Sequence, residues 1–331
     1  MAAVLLLIIP FLTIVLCNAA DPSTYWQELL PNTAMPAAVS KALPVHYNYT
    51  TTTNTKYWED SDEVVIQSYE GGSGHCHNDK ARKISSFLKS RFVLQNNLKV
   101  GSQITLQLKT MAEINTKFPS PNHDESLLLP PFSSQNLVQN LLHFNISSNS
   151  EAAYVMNLTL HKCEEKNPIN GKLKYQFCAT SLKDLLSFVG EKLGLKGLKA
   201  VSPPSASADS LSRYRVVSAK PLAAEGKLIL CHRYGFPYAV FYCHQPAATR
   251  AFSVLLAAQK GRDQLLDTIA ICHDETSTWS PDYIGFKALR VQPGTPICHF
   301  LHSQDLLWVS PLYKSKSKES RKSNSCAKKQ G

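Results

Sequence analysis

The stretch that decides the fold runs from Cys231 to Trp308 and contains the dipeptide Cys-His four times, at Cys231-His232, Cys243-His244, Cys272-His273 and Cys298-His299. The gaps between successive pairs are 10, 27 and 24 residues, and 8 more residues separate His299 from Trp308. The whole chain of 331 residues has only 9 cysteines and 11 histidines, so this concentration is not an accident of composition. We therefore expect the chemistry of the protein to lie in this stretch.

Short apolar runs precede the pairs and predict that they stand on β-strands. Leu228-Ile229-Leu230, Val240-Phe241-Tyr242 and Ile269-Ala270-Ile271 are typical examples. Because neighbouring side chains of a strand point to opposite faces, a cysteine and the histidine after it should face apart. If the strands come together, the sulfurs can gather on one side and the imidazoles on another. This arrangement argues against a mixed Cys/His zinc site, whose ligands must converge on one point.

The N-terminus has the pattern of a secretory signal peptide. An apolar run from Val4 to Val15 is followed by small residues before the first charge at Asp21, which predicts a signal peptide at residues 1–20. No later segment approaches the roughly 18 apolar residues of a membrane span. The mature protein is therefore expected outside the reducing cytosol, where cysteines normally form disulfides.

Eight cysteines remain after residues 1–20 are removed, and an even number permits complete pairing. Cys163 and Cys178 are close enough, across a turn at Asn170-Gly171, to bridge a hairpin. The cysteines of the four Cys-His pairs, Cys231, Cys243, Cys272 and Cys298, are also expected to be oxidised. Their connectivity cannot be read from the sequence.

The patterning divides the chain into four parts. Residues 21–87 are rich in Pro, Thr, Asn and Ser and are predicted to form an extended, largely disordered leader with at most a brief helical turn that stops at Pro31. Residues 88–311 are predicted to form the folded domain, and residues 312–331 a disordered basic tail.

Within the folded domain, helices are predicted over 136–144 and 181–192, and strands over 90–94, 103–108, 153–161 and 172–177. From Tyr214 onward, strand follows strand. The predicted fold is mainly β (α+β), an antiparallel sandwich or barrel-like domain with a few short helices, stapled by disulfides.

The charge of the protein indicates an anionic partner. The net charge is +10, and the tail from Lys314 to Lys329 carries seven basic residues against one acidic residue, Glu319. Outside the cell, the natural partner of such a tail is an acidic polymer rather than nucleic acid. Three Asn-x-Ser/Thr sequons, at Asn48, Asn145 and Asn157, would be accessible to glycosylation on the secretory route.

These residues together resemble the plant-specific BURP-domain family. The signature of that family is a Phe-containing start, two isolated cysteines, and four Cys-His pairs followed by a Trp. In this chain the matching residues are Phe92, Cys163, Cys178, the four pairs and Trp308. The resemblance covers residues 88 to 311. It implies a plant protein of the secretory route, located in the cell wall or, alternatively, a storage vacuole.

The resemblance leaves two functions open. Some relatives are autocatalytic peptide cyclases that use copper and oxygen to cross-link a Trp or Tyr of a core peptide. Others are known only as wall-associated, seed, pollen or stress proteins, and one of these is non-catalytic. The favoured expectation is a cell-wall protein with a role in development or stress response, and the copper-dependent cyclase is the alternative. A copper site would use the imidazoles of His232, His244, His273 and His299, because nitrogen ligands favour Cu(II). Asp274 and Glu275 are either partners that orient an imidazole or parts of a solvated turn.

The two functions imply different partners. A cyclase needs a peptide substrate, and the leader contains no repeated aromatic core; Val65-Ile66-Gln67-Ser68-Tyr69 is the single unrepeated candidate. A wall protein would bind acidic polysaccharide or another wall protein. The sequence identifies no catalytic residue and no organic cofactor site.

Overall fold

Two antiparallel sheets carry the four Cys-His pairs. The computed structural model describes residues 21–44, 90–108, 114–120, 129–165, 173–204, 212–223, 226–259 and 265–310. The strands of these residues are β1 (Phe92–Leu94), β2 (Gln103–Leu106), β3 (Leu173–Ala179), β4 (Lys199–Val201), β5 (Ser212–Ala223), β6 (Leu228–Tyr234), β7 (Val240–Pro246), β8 (Thr249–Ala258), β9 (Leu265–His273), β10 (Ile297–Phe300) and β11 (Leu306–Val309). The α-helices are α1 (Pro22–Leu29), α2 (Ala37–Ser40), α3 (Leu137–His143), α4 (Glu151–Glu164), α5 (Leu182–Leu193) and α6 (Ile284–Leu289).

The larger sheet curls towards closure. Its strand order is β1-β10-β9-β8-β5-β2, with antiparallel pairing throughout. The two edges approach each other where the amide of Gln107 donates to the carbonyl oxygen of Ser90 at 3.3 Å. The sheet is therefore nearly a closed barrel, and its interior is filled by apolar side chains such as Val216, Leu256 and Phe300.

The smaller sheet lies in the middle of the fold. Its strand order is β3-β7-β6-β11-β4, and every residue of β6 and β7 is buried. Strands that are covered on both faces lose the alternation of polar and apolar side chains, which explains the continuous apolar runs in this part of the sequence. These observations confirm the predicted antiparallel, barrel-like fold with short helices and disulfides.

Helix α5 covers one face of the smaller sheet, as its spacing predicts. Its buried residues, Leu182, Leu185, Leu186, Phe188 and Val189, join the core formed around Trp308. The side chain of Ser181 caps the helix by accepting from the amide of Asp184 at 3.0 Å. The short helix predicted over 136–144 is also present, as α3.

The strand predicted over 153–161 is wrong, because these residues belong to helix α4. Its buried positions include Ala152, Met156 and Thr159, at helical spacing, and Ser150 caps the first turn through the amide of Ala153 at 3.1 Å. The apolar residues of 153–161 also fit the alternating pattern of a strand. The strand was predicted because the N-cap at Ser150 was not taken into account. As a result, the Cys163–Cys178 disulfide joins a helix to strand β3 and does not bridge a hairpin.

The first part of the predicted leader is folded. The helical turn predicted before Pro31 is present as α1, and the prediction of an extended segment is otherwise wrong for residues 21–44. Asp21 caps helix α1 by accepting from the amides of Ser23 and Thr24 at 3.1 and 3.2 Å. Trp26 is fully buried, its ring centroid is 5.7 Å from that of Trp308, and its Nε1 donates to the carbonyl oxygen of Thr33 at 2.7 Å. The burial of one aromatic residue against a distant strand leaves no periodic signal in the sequence.

Several predictions concern residues outside the described ranges. They are the signal peptide at 1–20, the rest of the leader with Asn48 and the candidate core at 65–69, and the basic tail. Among the helices that the structure does describe, none is long and apolar enough to cross a membrane.

Candidate functional site: a buried cluster of four histidines

Two pairs of neighbouring strands repeat the same arrangement of cysteines. On β6 and β7, Cys231 lies directly opposite Cys243, and the two form a disulfide. On β9 and β10, Cys272 lies opposite Cys298, and these also form a disulfide. The sulfurs therefore occupy two separate cores, one packed with Trp308 and one inside the barrel-like sheet.

The histidines take the opposite face of each strand pair. Each histidine lies one residue beyond its cysteine on antiparallel strands, so the two imidazoles of a pair meet diagonally across the ladder. The rings of His232 and His244 stack with centroids 5.3 Å apart, and those of His273 and His299 with centroids 5.4 Å apart. Alternation along the strands thus separates imidazole from sulfur.

The two histidine pairs lie close enough to affect one another electrostatically. The pKa of His244 is held well below its ordinary value by burial and, after that, by the charges of His232, His273, Lys162 and His299. These residues come from both sheets, so the two stacked pairs lie within electrostatic range of one another. We call the four imidazoles together the histidine cluster.

Three histidines of the cluster, His244, His273 and His299, favour the neutral state. Burial, followed by the charges of His299 and His232, lowers the pKa of His273 well below its usual range. Burial is also the main reason that the pKa of His299 falls to about 4. Neutral imidazoles are the form that binds a metal ion.

Asp305 and Thr249 fix which nitrogen carries the proton in two of the rings. Asp305 Oδ1 lies 3.1 Å from Nδ1 of His232, and its other oxygen accepts from the amide of His302 at 2.9 Å. A carboxylate only accepts, so Nδ1 of His232 carries the proton.

Thr249 has the same effect on His273. Its hydroxyl donates to the carbonyl oxygen of Ala247 at 2.8 Å, so the same oxygen accepts from Nδ1 of His273 at 3.0 Å. In both rings Nε2 consequently carries the lone pair.

Among the described residues, neither ring nitrogen of His244 has a hydrogen-bond partner, although the residue is only 7% exposed. Its ring stacks between those of His232 and Tyr242, whose centroid is 5.2 Å away. An unsatisfied buried polar group costs about 1–3 kcal/mol, so the stability of the fold does not explain this histidine.

The donor set suits a copper or zinc ion, although the rings are not placed around one point. Within the described residues, no group of three or more His, Cys, Asp or Glu side chains is arranged to hold a metal. The rings of each pair stack, so a bound ion would require ring rotations. All six described cysteines are in disulfides, which leaves nitrogen as the available ligand type.

The sequence did not identify Asp305, Thr249 or Trp279 as parts of the site. Trp279 is half-buried, and its ring centroid lies 4.8 Å from that of His273. The side chains of the two acidic residues that the sequence singled out, Asp274 and Glu275, bond to residues outside the histidine cluster. Asp274 pairs with Arg250 at 2.6 and 2.7 Å, and Glu275 accepts from the amide of Ser277 at 2.8 Å.

The two sequons within the described residues differ in setting. Asn145 is exposed after helix α3, with a positive φ of 52°. Asn157 lies within helix α4, where the hydroxyl of Thr159 is buried and donates to the carbonyl oxygen of Gly235 at 2.8 Å. Of these two sequons, Asn145 has the setting of a glycosylation site, and its use remains a prediction.

The stability of the metal-free protein should fall steeply with acidification. Three histidines of the cluster have folded-state pKa values below the usual 6.5, reaching about 4 for His299, so the unfolded chain binds more protons below pH 6.5. Stability is therefore lost as the pH falls from 6.5 towards 4, with a limiting slope of about 4 kcal/mol per pH unit if all three contribute. Urea denaturation across this range measures the slope. A flat profile would contradict the buried, neutral cluster.

The fold and the site define a disulfide-stapled antiparallel β protein with histidines clustered opposite its disulfides. The sequence model of the BURP domain matches residues 91–310, and the chain belongs to the BURP-domain family. It is 33% identical to BURP domain-containing protein 5 of Oryza sativa subsp. japonica over 296 residues, which cover 88% of this chain and 87% of that protein.

Other similar proteins also come from plants. BURP domain protein RD22 of Arabidopsis thaliana is 36% identical over 184 residues, which are 54% of this chain and 45% of RD22. BURP domain-containing protein BNM2C of Brassica napus is 30% identical over 259 residues, which are 76% of this chain and 90% of BNM2C. The matched region thus spans most of some relatives and about half of others.

Proposed function

We propose that this is a secreted plant BURP-domain protein whose histidine cluster binds copper and supports oxidative cross-linking of a Trp or Tyr side chain in a peptide. The observation that carries the proposal is the buried cluster itself. A purely structural role accounts for His232 and His273, which are hydrogen-bonded. It does not account for His244, whose two nitrogens are buried without a partner.

The residues of the chain would prepare the site in two ways. Asp305 and Thr249 keep the protons of His232 and His273 on Nδ1, so that Nε2 carries the lone pair that a metal ion would bind. Burial lowers the pKa values of His244, His273 and His299, so that a metal ion does not compete with protons for these three imidazoles at neutral pH. Bound copper would supply one-electron oxidation with oxygen as the final acceptor.

Trp279 offers a surface for the aromatic group of a substrate. It is half-buried beside His273 and contacts Tyr283 edge to face, with centroids 4.8 Å apart. An indole or phenol of a peptide could pack against it at the edge of the cluster. By contrast, Trp26 of the leader is fully buried against Trp308 and is not presented as a substrate.

Copper-loaded protein incubated with oxygen should yield a peptide lighter by two hydrogens for each cross-link. The peptide would come from the leader of the protein or from an added precursor. Tyr69→Ala tests the candidate core at 65–69 separately, because a cross-link through the phenol of Tyr69 cannot form in this variant. Mass spectrometry of the digested protein measures the loss. If neither the leader nor any candidate precursor loses this mass, the cross-linking function is contradicted, whereas copper binding is tested independently below.

A non-catalytic wall protein is the second candidate, favoured by the charge of the chain and the lack of a repeated core. Removing Lys314 to Gly331 should weaken retention on pectate at low salt, where exposed charges are least screened. Retention of the full chain and the truncated chain on a pectate column, with salt elution, measures the effect. Equal retention would leave the tail without a role in binding.

A further inference from the structure

Arg233 is a buried charge on the opposite face of β6 from the histidine cluster. It is 2% exposed, and its guanidinium carbon lies 4.8 Å from the ring centroid of Phe241. Its Nη2 donates to the backbone oxygen of Thr116 and, at 3.1 Å, to the Thr116 hydroxyl. Its Nη1 is buried and has no hydrogen-bond partner in the part of the chain that the structure describes.

The charge of Arg233 has no acidic partner within the described ranges. None of the ion pairs among the described residues involves Arg233. An arginine side chain keeps its positive charge at neutral pH. Buried charges in proteins are normally paired, because removing an ion from water without a counter-ion is costly.

Two lysines extend the positive charge from Arg233 to the surface. The pKa of Lys117 is lowered by burial and then by the charges of Arg233 and Lys41, so the three cations lie within electrostatic range. Lys117 is half-buried, and its Nζ donates to the backbone carbonyl oxygen of Lys41. Lys41 itself is an exposed residue.

Backbone hydrogen bonds hold the two lysines in place. The amide of Phe118 donates to the carbonyl oxygen of Ala42 at 2.7 Å, and the amide of Ala239 donates to the carbonyl oxygen of Lys117 at 2.8 Å. The segment with Lys117 is thereby fixed between the segment with Lys41 and the start of β7.

We propose that Arg233, Lys117 and Lys41 form a binding site for a carboxylate group, with Nη1 of Arg233 as its buried donor. A guanidinium matches the planar geometry of a carboxylate. A single negative charge is favoured over a phosphate, because a second charge raises the desolvation cost beside the apolar ring of Phe241. The site faces away from the histidine cluster and does not depend on the proposed copper chemistry.

The test compares carboxylates with chloride as stabilisers of the full-length protein. Thermal unfolding is measured in acetate, galacturonate or a galacturonate trimer at equal carboxylate concentration, and in chloride at the same ionic strength. The variants are Arg233→Met and Lys117→Met. Arg215→Met, at an exposed position on β5, is the matched control.

Carboxylate is expected to raise the unfolding midpoint of the wild-type and Arg215→Met proteins in proportion to the logarithm of its concentration above Kd. Arg233→Met should remove this response and unfold at a higher midpoint without ligand, since it removes an unpaired buried charge. Lys117→Met should weaken the response, and it decides the test if Arg233→Met does not fold. A larger shift with the trimer identifies a polymer as the source of the carboxylate, and equal shifts identify a small acid.

Three outcomes would overturn the proposal. Chloride could raise the midpoint as much as acetate does, which would indicate general screening. Arg233→Met could retain the full response to carboxylate. Lys117→Met could respond like the wild-type protein, which would remove the second cation from the site.

Discussion

Replacing His244 by leucine is expected to weaken copper binding by at least about 100-fold, because even the loss of an outer partner of a metal ligand costs about 10–100-fold. The same substitution should leave the metal-free protein as stable as the wild type or more stable, since it removes two buried nitrogens that have no partner. Competition titration with a copper chelator measures the affinity, and urea denaturation measures the stability.

The matched control for this variant is His161→Leu, at an exposed position on helix α4. Its copper affinity should equal that of the wild-type protein. An unchanged affinity in the His244 variant would exclude this ring as a ligand. A large loss of stability without metal would instead assign His244 a structural role.

Replacing Trp26 by alanine is expected to lower the free energy of unfolding by about 3–5 kcal/mol, the range for deleting a large buried aromatic side chain. Trp26 is fully buried, contacts Trp308 and donates to Thr33, so the substitution removes both packing and a hydrogen bond. The effect should appear in chemical denaturation of the whole domain, because the core around Trp308 includes helix α5 and the smaller sheet.

Gln27→Ala, an exposed position of the same helix, should change the stability by less than about 0.5 kcal/mol. If Trp26→Ala lowers the free energy of unfolding as little as Gln27→Ala does, helix α1 does not contribute to the stability of the domain. The leader then begins at residue 21, as the sequence predicted. If the loss is large, the folded unit extends to residues that lie well before the matched BURP region.

The separation of cysteine from histidine was predictable from the sequence because it depends only on strand alternation. A cysteine and the histidine after it must face apart on any strand, whatever the topology. The oxidation of the cysteines was predicted from the expected secretory route, and the gathering of the imidazoles depended on the strands coming together. Helix α5 was predictable for a similar reason, since its buried leucines and Val189 repeat at helical spacing. Local periodicity was enough in both cases.

The features that the sequence did not show depend on contacts between distant segments. Asp305 lies 73 residues from His232, and no local pattern marks it as the partner of an imidazole. Thr33 of the leader donates to the carbonyl oxygen of Leu198, 165 residues away. Helix α4 was missed for a different reason: its apolar run fits both periods, and only the cap at Ser150 distinguishes the helix.

The copper content of the purified protein tests the central claim most directly. After loading with Cu(II) and removal of excess metal, the account predicts about one copper per chain with nitrogen ligands in the electron paramagnetic resonance spectrum, the ligand type that Cu(II) favours. A variant with His232, His244, His273 and His299 all replaced should retain none. If the wild-type protein retains no copper, or the variant retains as much as the wild type, the histidine cluster is not a copper site.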